Sequence, residues 1–142
     1  GYPIRYPVVF DWEFITTGEA RTDGMDGEGI TQCASAFCQL VSVAGYTPMI
    51  YFNQDMGYLV YQLDQLDSSA FWLAEYDSRP DFYYDFEMWQ YTHTGTVPGI
   101  EGNVDLNLAF RDFTPQAPGR HRLGAGPSVS QKTNTTPPNL VK

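Results

Sequence analysis

Cysteine is scarce in this chain: among 142 residues there are only Cys33 and Cys38. They lie in a segment with helical periodicity, where their Cα atoms would be about 8 Å apart, beyond disulfide reach. No disulfide framework is available, and both read as free, buried thiols. Two cysteines with the distant His93 and His121 fall short of a metal-ligand set, so no metal and no cofactor is expected. Long apolar runs are missing as well. Nothing approaches the roughly 18 consecutive apolar residues of a membrane span. The chain opens Gly1-Tyr2-Pro3 without a methionine or a charged-then-apolar leader, which reads as a fragment, with any export signal expected upstream.

Basic residues are the third scarcity. Residues 1–114 hold all 17 acidic residues against Arg5, Arg21, Arg79 and Arg111, a net charge of −13. A body this negative is a poor match for a phosphate backbone, which is held by lysine and arginine, so nucleic-acid binding is disfavoured. From Thr114 onward the chain has no acid and no aromatic residue, but five prolines and four basic residues. Such a stretch buries too little to fold alone. The expected division is a folded domain over 1–113 and a disordered, basic, proline-rich tail or linker over 114–142.

What the body does have is apolar and aromatic material: 10 Tyr, 9 Phe and 3 Trp, enough for one core and for the flat amphipathic surfaces on which sugars stack. Pro7 to Glu13 (PVVFDWE) predicts a buried parallel strand, with Val9, Asp11 and Glu13 on one face and Val8, Phe10 and Trp12 on the other. Thr16 to Gly29 reads as a loop. Ile30, Cys33, Ala34, Phe37, Leu40, Val41 and Ala44 then recur at helical spacing, with Gly45 placed to end the helix. Thr47–Asn53 predicts a second strand and 57–63 a short helix. Ala70–Tyr76, Glu87–Tyr91 and Val104–Leu108 predict three more strands with little room for helices between them. This order points to an α/β sheet closing as an irregular barrel.

Asp11 and Glu13 carry the sharpest chemical signal. A strand sets both carboxylates on one face at its C-terminal end, where α/β barrels build their active sites. Glycoside hydrolysis needs such a pair: one acid keeps its proton for the leaving oxygen, and a neighbouring carboxylate steadies positive charge on the sugar. Proximity drives the two pKa values apart.

The blocks YPVVFDWE, GYTPMIYFN, FWLAEY and YDFEMWQYTHTGTVPGIEGNVDLN, in that order, resemble the family 25 glycoside hydrolases, a family of muramidases, over nearly all of residues 6–113. The resemblance implies an irregular barrel of five β/α units followed by three strands, here lacking the first three strands and an early acidic residue. It implies an N-acetylmuramidase that cuts the β-1,4 bond between N-acetylmuramic acid and N-acetylglucosamine in bacterial cell-wall peptidoglycan. A monomer acting outside the cell or in the cell envelope is expected. Position for position, Glu13 resembles the general acid/base, Asp11 its carboxylate companion, and Asp105 a further acid across the cleft. Tyr51, Trp72, Tyr76 and Gln90 fall in blocks that resemble cleft-lining strand ends. Tyr51 and Trp72 could equally pack the barrel, and strand parity leaves open which of Trp89 and Gln90 points inward. Trp12 and Phe10 are expected in the core, and His93 in a solvated turn. The alternative to an enzyme is a peptidoglycan-binding remnant, catalytically incomplete.

Overall fold

The computed structural model describes residues 4–113, and the tail expected at 114–142 lies outside the described residues. Five strands, Val8–Asp11 (β1), Pro48–Asn53 (β2), Ala70–Ala74 (β3), Met88–Gly95 (β4) and Val104–Ala109 (β5), form one sheet in sequence order. β1 to β4 run parallel, and β5 returns antiparallel to β4. Connection length accounts for this. Helix α1 (Gly27–Val43) crosses from β1 to β2, and helix α2 (Gln54–Leu59) with a 3-10 turn at Leu63–Gln65 crosses from β2 to β3. Only a turn separates β4 from β5, so a hairpin follows.

Helix α1 is bounded by its own sequence. Asp26 caps its start, the carboxylate Oδ1 accepting from the Gly29 amide at 2.8 Å. Gly45 stops it in the left-handed region (φ 84), where its amide reaches the Ser42 carbonyl and that of Tyr46 reaches Val41. The buried stripe is Ile30, Thr31, Ala34 and Cys38. Leu40 and Cys33 point to solvent, so the expectation of two buried thiols holds for Cys38 alone. Thr31 carries a role that its polarity concealed: its hydroxyl donates to the Gly27 carbonyl at 2.7 Å and accepts from the Gln62 amide at 3.1 Å, pinning α1 to the chain beyond α2.

The short helix starts earlier than its apolar pattern suggested, at Gln54, because Asn53 caps it by accepting from the Met56 amide at 2.9 Å. It then stops at Leu59 and re-forms as the 3-10 turn. At Gly57 an added Cβ would lie 2.7 Å from Phe82 and 2.9 Å from Phe52. Only a glycine lets α2 sit this close to both rings.

The main core fills the space between one face of the sheet and these helices. Phe10, Ile50, Phe52, Phe71 and Leu73 meet Ile30, Ala34, Cys38, Met56, Leu63, Leu66 and Phe82. Phe52 is its centre, with ring centroids 5.3 to 5.7 Å from Phe71, Phe82 and Tyr61. Full burial of such a ring contributes about 1.5–3 kcal/mol. Phe10 and Trp12 pack against this cluster, as expected.

The other face of the sheet is concave. Tyr6, ahead of β1, and Phe113, beyond β5, approach to 6.1 Å between ring centroids. The two edge strands therefore face each other across a hollow, and the sheet is a half-barrel of the expected α/β class.

Candidate active site

Strand register decides what lines the hollow. Asp11 pairs with Tyr51, Tyr51 with Trp72 and Trp72 with Met88, while Ala74 pairs with Gln90 and Gln90 with Asn107. Residues in register share a face, and two positions along the strand keep it. Phe10, Ile50, Phe71 and Leu73 commit the opposite parity to the core, so Val9, Asp11, Met49, Tyr51, Trp72, Met88, Gln90 and Asn107 belong to the concave side.

The parity question between Trp89 and Gln90 is thereby answered. Gln90 is 3% exposed, and its Oε1 accepts from the Tyr51 hydroxyl at 3.0 Å and from the Tyr76 hydroxyl at 2.6 Å. Trp89 turns away and donates its indole N–H to the Glu75 carbonyl at 2.7 Å. Trp72 stands further down the hollow, its indole N–H on Asn107 Oδ1 at 2.9 Å and its ring 5.0 Å from that of Tyr51.

β1 ends at Asp11, so Glu13 lies just past the strand and not on it. The pair holds together even so. Asp11 is within hydrogen-bonding reach of Glu13, and Asp105 acts on Glu13 from across the hollow. Asp105 can do this because β5 is antiparallel: its first residues stand at the same end of the sheet as the last residues of β1 to β4. Partial burial first, then the negative charge and hydrogen bond of Asp11, then the charge of Asp105, raise the Glu13 carboxyl above its ordinary value. Burial, the neighbouring Tyr76 and the charges of Glu13 and Asp11 push the Tyr51 hydroxyl upward in turn, so it stays protonated as a donor.

Six of the seven residues singled out from sequence, Glu13, Asp11, Asp105, Tyr51, Tyr76 and Gln90, thus act on one another at one end of the hollow. Trp72 joins them through Tyr51.

One residue was misplaced and two were missed. His93 lies within β4 and not in a turn, its ring 4.5 Å from that of Tyr76. Asn107 could have been found by counting two positions on from Asp105. Glu75 follows the apolar run AFWLA and is buried, its Oε1 accepting from the Asp81 amide at 2.9 Å. A charged residue ending so apolar a strand was its only signal.

Residues 2–100 match the family described as glycosyl hydrolases family 25. The chain belongs to that family. The matched span ends ahead of β5, so the placement of Asp105 rests on the sheet geometry. Among solved structures the chain is similar to a family 25 glycosyl hydrolase from Bacillus anthracis, at 25% identity and a TM-score of 0.57, over 74% of this chain and 50% of that one. It is also similar to the CTP1L endolysin, at 25% identity and a TM-score of 0.51, over 59% of this chain and 31% of that one. The chain therefore spans half or less of these two proteins. No curated protein matches it. The half-barrel agrees with the family 25 fold, with five strands described of the eight that the family resemblance implied.

Proposed function

We propose that this chain carries most of the active site of a peptidoglycan hydrolase, an N-acetylmuramidase, with Glu13 as general acid/base. The observation that carries the reading is the convergence of Glu13 on Asp11 and Asp105 at the C-terminal end of the parallel strands. A carboxyl whose pKa is raised by partial burial and by two like charges holds its proton more readily than a free one, as donation to a leaving glycosidic oxygen requires. Asp11, beside it, would face the positive charge developing at the anomeric carbon. Gln90 holds the Tyr51 and Tyr76 rings along the rim, where they offer faces to the sugar and fix the cleft wall. The acting form is taken to be a monomer at the bacterial wall, outside the cell or in its envelope.

Digestion of purified peptidoglycan, followed by analysis of the new reducing ends, tests this. Muramic acid ends are expected from the wild-type protein and none from Glu13→Gln with its fold intact. Glucosamine ends would refute the bond assignment, and wall lysis by Glu13→Gln at the wild-type rate would refute the acid. Because the chain spans half or less of its solved relatives, binding of muropeptides with no new reducing ends over days would favour the catalytically incomplete remnant.

A further inference from the structure

Among the described residues Glu75 is the one buried acid, 8% exposed, and no step of the proposed hydrolysis uses it. It directly follows β3 and shares the parity of Leu73, so its side chain is set behind the cleft wall while that of Tyr76 turns to the cleft. Its backbone is fixed from β4: the amide donates to the Gln90 carbonyl at 3.2 Å, and the carbonyl accepts from the Trp89 indole at 2.7 Å. Its carboxyl Oε1 accepts from the Asp81 amide at 2.9 Å, which draws the two ends of segment 75–81 together. Asp81 is held in turn by α2, its Oδ1 accepting from Gln54 Nε2 at 2.6 Å, and Phe82 beyond it is buried against Phe52. Between these anchors, residues 77–80 make no hydrogen bond among the described residues. The other carboxyl oxygen of Glu75, Oε2, is buried without a hydrogen-bond partner among them.

We propose that Glu75 is a positioning residue for the proposed cleft: by clasping the Asp81 amide it closes the neck of this loop and holds Tyr76 against Gln90. This role rests on the proposed function above. The Tyr76 side chain is tethered through its hydroxyl, 2.6 Å from Gln90 Oε1, and its half-exposed ring stands 4.5 Å from that of His93. Opening the neck would free residues 76–80 to swing as one, and Tyr76, the first of them, would leave Gln90. Oε2 sets the clasp apart from ordinary loop packing. A buried oxygen with no donor is destabilising, whereas an exposed polar side chain could close the same loop without that penalty. Because Oε2 has no partner, an amide at this position loses no hydrogen bond. Gln should therefore preserve the clasp, and Met, of similar length but with no oxygen, should break it.

Two measurements on the 142-residue chain test the proposal: nuclear Overhauser contacts between the Tyr76 and His93 rings, and calorimetric titration with a tetrasaccharide of alternating N-acetylglucosamine and N-acetylmuramic acid. In Glu75→Met the ring contact should be lost at temperatures well below the melt, and the tetrasaccharide should bind about three- to tenfold more weakly. Glu75→Gln should keep the ring contact and bind within about twofold of wild type. Tyr76→Phe should weaken binding in the wild-type background and add nothing in the Glu75→Met background, since the two act as a unit. A Glu75→Met chain that melts lower but keeps the ring contact and the affinity would overturn the proposal, because the residue would then serve stability alone. Equal losses in Glu75→Gln and Glu75→Met would overturn it too, since the acceptor would not be what acts. If Glu75→Met does not fold, hydrogen exchange at the Asp81 amide of the wild-type chain decides: protection supports the clasp, and exchange at the rate of an open loop refutes it. A tetrasaccharide that fails to bind the wild-type chain would count against the proposed function, while the ring contact would still judge the clasp.

Discussion

Replacing Glu13 by Gln should abolish glycan cleavage and, at neutral pH, make the protein more stable. A carboxyl whose folded pKa is raised stabilises the fold while it is protonated. That contribution is complete below its ordinary value of 4.5 and is lost as pH rises through the raised value. The amide of Gln stands in for the protonated acid at every pH, because its N–H can donate to Asp11 as the protonated Glu13 does. Glu13 is exposed, so each like-charge contact, with Asp11 and with Asp105, is worth only about 0.2–1 kcal/mol after solvent screening. Together they come to on the order of 1 kcal/mol, or about 4 °C in melting temperature for a domain this small. Melts followed by circular dichroism should show Glu13→Gln above wild type by that amount at pH 7 and level with it at pH 4. A variant that melts at or below wild type at pH 7 would mean that the ionised carboxylate has a stabilising partner, and the reading of Glu13 as a proton-holding acid would fail.

Gln90→Leu removes the shared acceptor of two tyrosine hydroxyls and should cost about 1–3 kcal/mol in denaturant melts. A double-mutant cycle with Tyr51→Phe should return a coupling of about 0.5 kcal/mol or more, and a value of zero would deny that the pair acts as a unit. Thr31→Val keeps the shape but leaves the Gln62 amide without its acceptor. It should lose about 1 kcal/mol and speed hydrogen exchange at that amide; unchanged exchange would refute the tether. Gly57→Ala forces a Cβ into Phe82 and Phe52 and should lower stability by about 1–3 kcal/mol, whereas a neutral melt would show that α2 moves aside freely.

The strand positions and the body of the one long helix were readable because they rest on local signals: apolar runs of strand type, a helical apolar spacing and a terminating glycine. What sequence could not supply was the side of each element. Cys33 and Leu40 sit at helical spacing with Ile30 and Ala34 yet face water, since α1 packs along one stripe only and periodicity tolerates neighbours at its edge. Trp89 and Gln90 were interchangeable until β3 was paired with β4, because parity has no meaning without a register. Asp11 and Glu13 were rightly paired for a partly wrong reason, as the strand ends between them and the contact survives through the turn of the chain. Glu75 was hidden because burial of a carboxylate depends on the loop that folds over it, here through the Asp81 amide.

Polarity along the hollow follows from the same register. At one end stand Glu13, Asp11, Asp105 and the Gln90–tyrosine group; toward the other, Val9, Met49 and Met88 with Tyr6, Pro7, Trp72 and Asn107 border a largely apolar space of about 350 Å³. On β1 the change takes one pleat, from Val9 to Asp11, and on β2 it takes one pleat from Met49 to Tyr51. Because parallel strands hold these pairs level, the steps align into a boundary across the sheet instead of a scatter of polar and apolar patches. An apolar floor on this side offers the carboxylates no polar partner and so favours a proton staying on Glu13. It follows that Met49→Gln, two positions below Tyr51, should lower the Glu13 pKa by admitting polarity under it. Nuclear magnetic resonance titration of the Glu13 carboxyl would read that shift, and an unchanged value would mean that Asp11 and Asp105 alone set it.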